Sequence, residues 1–548
     1  MTATTMTTGA AIVERTLAHG VDTVFGLPGV QTYPIFDALA LAGDRVRLIG
    51  ARHEQATAYM AFGYAKASGR PGVYTVVPGP GVLNTTAALC TAFGTSAPVM
   101  CLTGQAPKDF IGKGRGHLHE LPDQRGTLRT LIKWAERVDD PASAPALVDM
   151  AFREMLSGRP GPVALESAWD VLAETGEVVM GPAPGLPPPP EPDSDLVDAA
   201  VKRLAGAKRP MFWVGSGAQH AAPAILALAE RLGAPVAAFR GGRGIVPSDH
   251  PLGLSLAEAR KLWEETDLAI AIGTRMEGPY MRWRGMQYGP RPATPALVRI
   301  DIDPQEHARL PADVAITSDS GTGAAALLAA VEKAGVERAA WGDRIQEAKA
   351  ATMAEFRDKL QPQMAYLDAI RAVLPRDGVF VEELCQAGYV SYSGFPVYSP
   401  RTYVTSGYQG TLGYGFMTAL GAKAAVGDRP VVSIAGDGGF MFGVQELATA
   451  AQYGLNVAAV VFDNGAYGNV RRDQIRRFQG RELGSALVNP DFLKLAESFG
   501  VSGLRAETPE ALGPALEQAL AAGGPTLIHC PVTFGSEADP WPHIIEGR

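Results

Sequence analysis

Cysteine is scarce in this sequence and is not arranged for disulfides or for metal binding. The four cysteines are Cys90, Cys101, Cys385 and Cys530, with no CxxC pair and no histidine at metal-binding spacing. Small secreted proteins depend on paired cysteines, whereas scattered cysteines are typical of reduced thiols in the cytoplasm. We therefore expect free, mostly buried thiols.

The sequence also lacks the charge and hydropathy patterns of nucleic-acid-binding and membrane proteins. Its 49 basic and 57 acidic residues give a net charge of −8, without a concentrated basic stretch. No apolar run approaches the ~18 residues that a membrane-spanning helix requires, and residues 1–20 show no secretory signal. These absences argue against a nucleic acid or a membrane as partner and predict a cytoplasmic protein.

The sequence does contain a regular alternation of short apolar runs with amphipathic helical patterns, which is typical of α/β units with parallel sheets. Runs with the length of buried strands lie at 21–27, 70–77, 97–104, 234–239, 268–273, 430–436 and 457–462. A proline-rich stretch at 181–195 and a charged helical segment near 335–365 divide the chain. We predict three doubly wound parallel-sheet α/β domains, at 1–181, 182–345 and 346–548.

Two polar residues follow the last two of these runs. Asp437 comes directly after the first and Asn464 shortly after the second, with a helical pattern near 443–453 between them. Because the carboxyl ends of parallel strands meet at one edge of a sheet, both side chains would face the same crevice. Their oxygens suit Mg²⁺ or Ca²⁺, and Gly438 and Gly439 would let the backbone approach phosphates. Taken singly, either polar residue would be an ordinary turn residue.

This arrangement resembles the signature of thiamine-diphosphate enzymes, in which Gly-Asp-Gly is followed about two dozen residues later by an asparagine turn. The resemblance implies that Asp437, Asn464 and the carbonyl of Ala466 bind Mg²⁺ and, through it, the diphosphate of the cofactor. The family usually closes this motif with two asparagines, whereas this chain has Asp463 in the first of the two places.

The N-terminal part contains a second match to the same family. Glu54, in the run Arg-His-Glu, opens an amphipathic helix after a predicted strand. A glutamate in the first turn of a helix is ordinarily explained by the helix dipole. The resemblance implies instead that Glu54 is the catalytic carboxylate. It would hydrogen-bond N1′ of the aminopyrimidine and promote the imino tautomer that removes the C2 proton.

Further segments resemble the loops that hold this cofactor. The loops that contain Pro28 and Asn84 are similar to those on the pyrimidine side. The segment at 406–422 resembles the turn that keeps the cofactor bent. There Gly410 would offer its carbonyl to the 4′-amine, and Leu412 would wedge beneath the two rings. Without that context, Leu412 would be an ordinary core leucine.

The substrate side is less defined. Gln31, His117 and His119 are candidate contacts to the substrate, with loop histidines in solvent as the alternative. Arg471 and Arg472 would attract a carboxylate or coat the surface, and we favour the surface. The chain looks most similar to the group of acetolactate synthase, pyruvate oxidase and benzaldehyde lyase. It lacks the adjacent His-His pair of pyruvate decarboxylases.

The resemblance covers nearly the whole chain and implies a pyrimidine-binding, a central Rossmann-like and a diphosphate-binding domain, in that order. In this family the cofactor lies between the first domain of one chain and the last domain of another, which implies a homodimer or homotetramer. The central domain is compatible with FAD, with another nucleotide or with no ligand. It has a strand and acidic turn at 298–306 but lacks the Gly-x-His-Gly of FAD-binding synthases at 251–260.

We therefore expect a thiamine-diphosphate- and Mg²⁺-dependent carboligase or lyase that acts on a small 2-ketoacid or aldehyde, with acetolactate-synthase-like chemistry as the first hypothesis. A benzaldehyde-lyase-like aldehyde or acyloin lyase and a 2-ketoacid decarboxylase are the alternatives. An FAD- or NAD-linked oxidoreductase is the alternative from another class. The turn at 214–223 does not satisfy its GxGxxG pattern.

Overall fold

The computed structural model describes residues 3–287 and 289–544. Three six-stranded sheets lie one after another along the chain, and every pairing within them is parallel. This confirms the predicted α/β fold with three parallel-sheet domains. All four cysteines are free, and only Cys90 is not fully buried. No helix of the described residues is both long and apolar enough to cross a membrane.

The first sheet has the strand order β3-β2-β4-β5-β7-β6, and an antiparallel pair, β1 with β8, lies beside it. The strands are β1 (Ala3–Thr7), β2 (Thr23–Gly26), β3 (Arg47–Gly50), β4 (Gly72–Val76), β5 (Val99–Gln105), β6 (Trp134–Val138), β7 (Val163–Ala168) and β8 (Thr175–Val179). The helices are α1 (Thr8–Ala18), α2 (Tyr33–Ala42), α3 (Glu54–Ser68), α4 (Pro80–Asn84), α5 (Thr86–Gly94), α6 (Gln124–Arg129), α7 (Ala144–Leu156) and α8 (Trp169–Ala173).

The central sheet has the order β11-β10-β9-β12-β13-β14. Its strands are β9 (Pro210–Val214), β10 (Val236–Ala238), β11 (Gly253–Ser255), β12 (Leu268–Ile272), β13 (Ala296–Asp301) and β14 (Val314–Thr317). Its helices are α9 (Ser194–Gly206), α10 (Ala222–Leu232), α11 (Leu256–Leu262), α12 (Glu277–Tyr280), α13 (Pro304–Arg309) and α14 (Ser320–Ala334). The proline-rich stretch before α9 forms neither helix nor strand from 181 to 193, as its composition predicts. The domain boundaries themselves stay a prediction.

The third sheet has the order β16-β15-β17-β18-β20-β19. Its strands are β15 (Val379–Val381), β16 (Tyr403–Val404), β17 (Val431–Gly436), β18 (Ala458–Asp463), β19 (Ser502–Arg505) and β20 (Thr526–Pro531). The helices are α15 (Arg344–Lys359), α16 (Gln363–Val373), α17 (Gln386–Gly394), α18 (Gly415–Val426), α19 (Asp437–Phe440), α20 (Leu447–Tyr453), α21 (Gly468–Arg477), α22 (Phe492–Ser498), α23 (Pro509–Ala521) and α24 (Trp541–Ile544). The helix expected near 443–453 begins only at Leu447, because a 3-10 turn precedes it.

Helices α3 and α18 join the first domain to the third, and they cross where each has a glycine. A Cβ on Gly63 would lie only 2.0 Å from the carbonyl oxygen of Thr418. A Cβ on Gly421 would lie 1.9 Å from the carbonyl oxygen of Met60. The two backbones therefore touch, which only glycine permits. Since α3 begins at Glu54, this crossing sets the position of Glu54 relative to the third domain.

The third domain also contains two adjacent buried carboxylates just after β15. Glu382 and Glu383 are completely shielded from solvent. Burial raises the pKa of Glu382 to about 7, with Arg240 partly offsetting the shift, and it raises the pKa of Glu383 to about 8. The Glu383 carboxylate accepts hydrogen bonds from the backbone N–H groups of Gly413 at 2.8 Å and Gly415 at 3.0 Å. It thereby fixes the turn that precedes α18.

We expect Gly63→Ala to lower the free energy of unfolding by about 1–3 kcal/mol, because the new methyl group forces α3 and α18 apart. The thermal unfolding midpoint measures this effect. Gly206→Ala is the matched control, since Gly206 ends a helix and a Cβ there meets nothing within 4 Å. Equal midpoints for the two variants would contradict the close helix crossing.

We expect Glu382→Gln to become more stabilising, relative to wild type, as the pH rises from 5 to 8.5. The folded-state pKa of Glu382 lies above its ordinary value of 4.5. The contribution of protonated Glu382 to stability is therefore complete below pH 4.5, and it is lost as the pH rises through about 7. Glutamine stays neutral throughout. A midpoint difference between variant and wild type that does not change with pH would show that Glu382 is not responsible.

Candidate active site

A cavity of about 210 Å³ lies at the carboxyl edge of the third sheet. The neighbouring strands β17 and β18 end at Gly436 and Asp463, so Asp437 and Asn464 follow them at the same edge. Both side chains line the cavity. Four other predicted site residues line the same cavity: Leu412, Gly438, Gly439 and Ala466. Gly436, which precedes Asp437, lines it as well.

Asp437 is buried, with only 2% of its surface exposed. Its Oδ2 accepts hydrogen bonds from the backbone N–H of Ala466 at 3.2 Å and from Nδ2 of Asn489 at 2.7 Å. Burial raises its pKa. A buried carboxylate with two donors keeps lone pairs free, and such oxygens are suited to a hard cation.

The unusual Asp463 has its own set of partners. Its Oδ2 is 3.0 Å from Nε2 of His529, and its Oδ1 accepts from Nδ2 of Asn489 at 2.7 Å. The hydrogen bond with His529 lowers the pKa of Asp463. The departure from the usual asparagine is thus accommodated by a histidine on β20. Asn489 bridges the carboxylates of Asp437 and Asp463.

Among the described residues, only the nitrogen of the Asn464 side-chain amide has a hydrogen-bond partner. Its Nδ2 donates to Oε2 of Glu537 at 3.0 Å. Within residues 3–287 and 289–544, its Oδ1 is buried and has no hydrogen-bond partner. A buried amide oxygen without a partner is costly unless something else binds it. With the Asp437 carboxylate and the Ala466 backbone beside it, this oxygen fits a Mg²⁺ ion that also takes phosphate and water oxygens.

In the part of the chain that the structure describes, no group of three or more His, Cys, Asp and Glu side chains is placed to hold a metal ion. A soft-metal or zinc-type site is therefore not formed by these residues. The hard oxygen donors on the cavity wall are the Asp437 carboxylate and the Asn464 amide, with Ala466 beside them.

The two glycines after Asp437 are required by packing. A Cβ on Gly439 would overlap the Glu383 carboxylate, and one on Gly438 would overlap the ring of Tyr467. Both glycines remain on the cavity wall, so the backbone there is open to a ligand.

The turn before α18 borders the cavity from the other side. Gly410 has a positive φ of 56°, a conformation that favours glycine. Leu412 is half-buried and lies on the cavity wall, where its Cδ1 would be 3.3 Å from a Cβ placed on Gly439. Leu412 is thus not an ordinary core leucine.

Glu54 forms a second cluster, in the first domain. It is the first residue of α3, where the ring Nδ1 of His53 caps the helix by accepting from the backbone of Gln55 at 3.2 Å. Oε2 of Glu54 accepts a hydrogen bond from Nδ2 of Asn84 at 3.0 Å. Asn84 and Pro28 are exposed in the single chain, so this side of the first domain is open.

The three substrate candidates behave differently. Nε2 of Gln31 donates to the carbonyl of Leu118 at 3.1 Å, which ties Gln31 to the loop that carries both histidines. Oε1 of Gln31 and Nδ1 of His119 are buried without a partner among the described residues. The His117 ring instead packs against Phe110 and Trp169, with ring centroids 5.2 Å and 6.1 Å away.

Among the residues that the structure describes, the two clusters are not joined within one chain. All residues that line the cavity belong to the third domain, whereas Glu54 and Asn84 lie in the first. The neighbours of Glu54 do contact the third domain: Nε2 of Gln55 donates to the carbonyl of Phe442 at 2.8 Å, and Glu446 accepts from the backbone of His53 at 3.1 Å.

A second and larger cavity, of about 680 Å³, lies between the central domain and its neighbours. Asp301, at the end of β13, and the Ser216–Gly217 turn after β9 form one wall. Lys66 and Arg401 face it from the first and third domains. Burial raises the pKa of Asp301 to about 6. Burial, together with nearby Arg401, lowers the pKa of Lys66 to about 8.

Sequence reasoning missed several residues of the site. Asn489 lies in the irregular loop before α22, Glu383 follows the short strand β15, and Glu537 lies after β20. Each is separated from its partner by tens of residues and belongs to no periodic pattern. Only the Asn489-Pro490 dipeptide marked a turn, and it carried no chemical information.

Three family models match the chain in the order of its three sheets. The model described as thiamine pyrophosphate enzyme, N-terminal TPP binding domain, matches residues 6–127. The central domain model of the same family matches residues 197–327, and the C-terminal TPP binding domain model matches residues 385–530. Thiamine pyrophosphate (TPP) and thiamine diphosphate are names of one cofactor.

The chain is also similar to curated proteins over nearly its full length. A probable 2-ketoarginine decarboxylase, AruI, of Pseudomonas aeruginosa is 34% identical over 96% of this chain and 94% of its own. A probable acetolactate synthase large subunit of Methanocaldococcus jannaschii is 34% identical, over 94% of this chain and 90% of its own. The acetolactate synthase large subunit of Parasynechococcus marenigrum is 34% identical, over 98% and 89%.

These matches give no support to the alternative of an FAD- or NAD-linked oxidoreductase. Three domain models in sequence and relatives of this identity and coverage show that the chain belongs to the thiamine pyrophosphate enzyme family, as a TPP-dependent enzyme that forms or cleaves carbon–carbon bonds.

Proposed function

We propose that this enzyme is an acetolactate-synthase-like carboligase or lyase that binds its cofactor through Mg²⁺ and acts on a 2-ketoacid. The main support is the cavity beyond β17 and β18. There a buried oxygen of Asn464 has no partner among the described residues and shares a wall with Asp437 and Ala466. The names of the relatives, 2-ketoarginine decarboxylase and acetolactate synthase, support the 2-ketoacid.

The third-domain residues would hold the cofactor and the metal ion. Asp437, Asn464 and the Ala466 carbonyl would bind Mg²⁺, which neutralises the diphosphate. Gly438 and Gly439 would border the phosphates, while Gly410 and Leu412 would contact the ring system, as the family pattern implies. When bound, TPP supplies an electron sink for the charge left when a bond next to a carbonyl breaks.

Glu54 is the residue to which we assign the proton transfer. Its carboxyl group would hold a proton and share it with the pyrimidine N1′. The N–H of Asn84, 3.0 Å from Oε2 of Glu54, would keep the carboxyl group oriented. The sequence predicts that Asn84 contacts the cofactor directly. The hydrogen bond to Glu54 adds a second proposed role, which is to position the Glu54 carboxyl group. Pro28 remains a proposed contact on the pyrimidine side.

We propose that a second copy of the chain completes the site, in a homodimer or homotetramer. Glu54 and the cavity lie on separate domains that do not close around one another within a chain. Large apolar side chains near both halves are exposed by 37–54%: Leu83, Leu118, Met441, Phe442 and Val470. Burying them against a second copy would remove this apolar surface from water. The cytoplasmic location stays a prediction.

Gln31 and His119 are the best-supported substrate contacts, because each has a buried polar atom without a partner among the described residues. His117 packs against aromatic rings, so we assign it to the loop structure. A 2-ketoacid decarboxylase is the second candidate function, favoured by the similarity to the probable 2-ketoarginine decarboxylase. An aldehyde or acyloin lyase remains an alternative for the same set of residues.

The central cavity would accept a nucleotide, with FAD as one candidate. Its 680 Å³ lies within the usual size of ligand pockets. The Asp301 carboxylate suits ribose hydroxyls, and the cations Lys66 and Arg401 suit phosphates. The residues present therefore fit FAD and smaller adenine nucleotides alike.

Titration of the metal-stripped protein with TPP and Mg²⁺ tests the central assignment. We expect wild type to bind TPP only with Mg²⁺, and Asp437→Ala to lose that binding. Glu54→Gln should still bind TPP. Its turnover of pyruvate, the 2-ketoacid used as the test substrate, should fall by ~10²–10⁴-fold, because an amide cannot transfer the proton. Glu517→Ala, on an exposed part of α23, is the control. Metal-independent binding by wild type would contradict the magnesium site, and full turnover by Glu54→Gln would contradict the proton transfer.

Thermal unfolding with added nucleotides tests the central cavity. We expect FAD or ADP, at ~100 times its Kd, to stabilise wild type by about 2.7 kcal/mol, and Asp301→Asn to abolish the shift. Asp198→Asn, on the exposed face of α9, is the control. Visible flavin absorption in the purified protein would identify FAD. Unchanged midpoints with both ligands would indicate a central domain without a nucleotide.

A further inference from the structure

Glu537 lies outside the predicted metal motif, yet it holds the amide of Asn464. Nδ2 of Asn464 donates to Oε2 of Glu537 at 3.0 Å, across 73 residues of sequence. Both residues line the cavity at the edge of the third sheet. The opposite atom of the amide, Oδ1, is buried and lacks a partner within the described part of the chain. The contact therefore uses the NH₂ group and leaves the oxygen available.

The segment that carries Glu537 is fixed to the third domain. Nη2 of Arg472 donates to the carbonyl of Glu537 at 3.1 Å, and Nε2 of Gln363 donates to the carbonyl of Ala538 at 2.7 Å. Arg476 forms an ion pair with Asp539. Arg472 was expected on the surface, but its side chain is only 12% exposed because it packs under this segment. The backbone around Glu537 is thus held from several sides.

A carboxylate oxygen accepts hydrogen bonds and cannot donate them when ionised. It therefore selects the orientation of the Asn464 amide in which NH₂ faces Glu537 and Oδ1 faces away. The opposite orientation would place two acceptor oxygens against each other and turn an NH₂ group toward the metal position. We propose that Glu537 is a positioning residue that fixes the metal-binding orientation of Asn464, so that the segment after β20 is part of the metal site.

This inference rests on the proposed magnesium site and adds a residue to it. Outer partners that orient metal ligands typically change metal affinity by 10–100-fold when they are removed. A direct electrostatic contribution of the Glu537 charge would also favour a cation. The two explanations differ in what glutamine does at this position, because its carbonyl oxygen still accepts from the NH₂ of Asn464 but carries no charge.

The experiment measures the Kd of Mg²⁺ by calorimetry, on full-length protein stripped of metal and supplied with excess TPP. We expect Glu537→Ala to raise the Kd by ~10–100-fold and Glu537→Gln to stay within about threefold of wild type. Glu517→Ala, an exposed acid on α23, should change nothing. Thermal midpoints without ligands show whether each variant is folded.

The outcomes separate this inference from the proposed function. If wild type does not bind Mg²⁺ with TPP, the magnesium site itself is wrong and the positioning role is overturned with it. If wild type binds and Glu537→Ala binds equally well, only the positioning role is overturned. An equal loss in Glu537→Ala and Glu537→Gln would assign the effect to charge and likewise overturn it. Should the alanine variant fail to fold, a loss of Mg²⁺ affinity in Glu537→Gln relative to wild type would still overturn the positioning role.

Discussion

The parallel pairing of β17 with β18 is the constraint on which the site depends. Gly436 lies opposite Phe462 in that pairing, so Asp437 and Asn464 leave the sheet at the same edge. The strand pairing alone therefore brings these two oxygen donors close together, and no direct contact between the two side chains is needed. The cost of burying these polar groups is offset by hydrogen bonds from neighbouring segments, through Asn489 and Glu537.

The glycine contacts make this arrangement rigid. Close approach at Gly63 and Gly421 packs α3 against α18. The Glu383 carboxylate, which accepts from the turn before α18, also lies against Gly439, where a Cβ would overlap it. Movement of one of these elements would therefore disturb the others. Buried Glu383 is costly in its ionised form, as its raised pKa of about 8 shows. The two hydrogen bonds that Glu383 accepts from the backbone fix the conformation of the turn before α18.

Much of the fold could be predicted because its signals are local, and so could the placement of Asp437 and Asn464 at one edge of a sheet. Apolar runs of strand length predicted the three sheets. Asp437 directly follows one of these runs, and Asn464 comes two residues after another. The burial of Arg472 and the contact of His117 with Trp169 could not be predicted, because they depend on segments that meet only in three dimensions. The helix expected near 443 begins later because a 3-10 turn has the same apolar spacing over so few residues.

The charges around the cavity support the proposal that the cofactor binds together with a metal ion. Asp437 and Glu537 line the cavity, and Asp463 shares Asn489 with Asp437. A diphosphate that approached these carboxylates alone would meet like charge in a partly desolvated site, where repulsion is strong. A divalent cation bound at Asp437 and Asn464 would offset two of these negative charges and offer a positive ion to the phosphate oxygens. The same carboxylates that would repel the diphosphate would thereby make its binding conditional on the metal, as the proposed magnesium site requires.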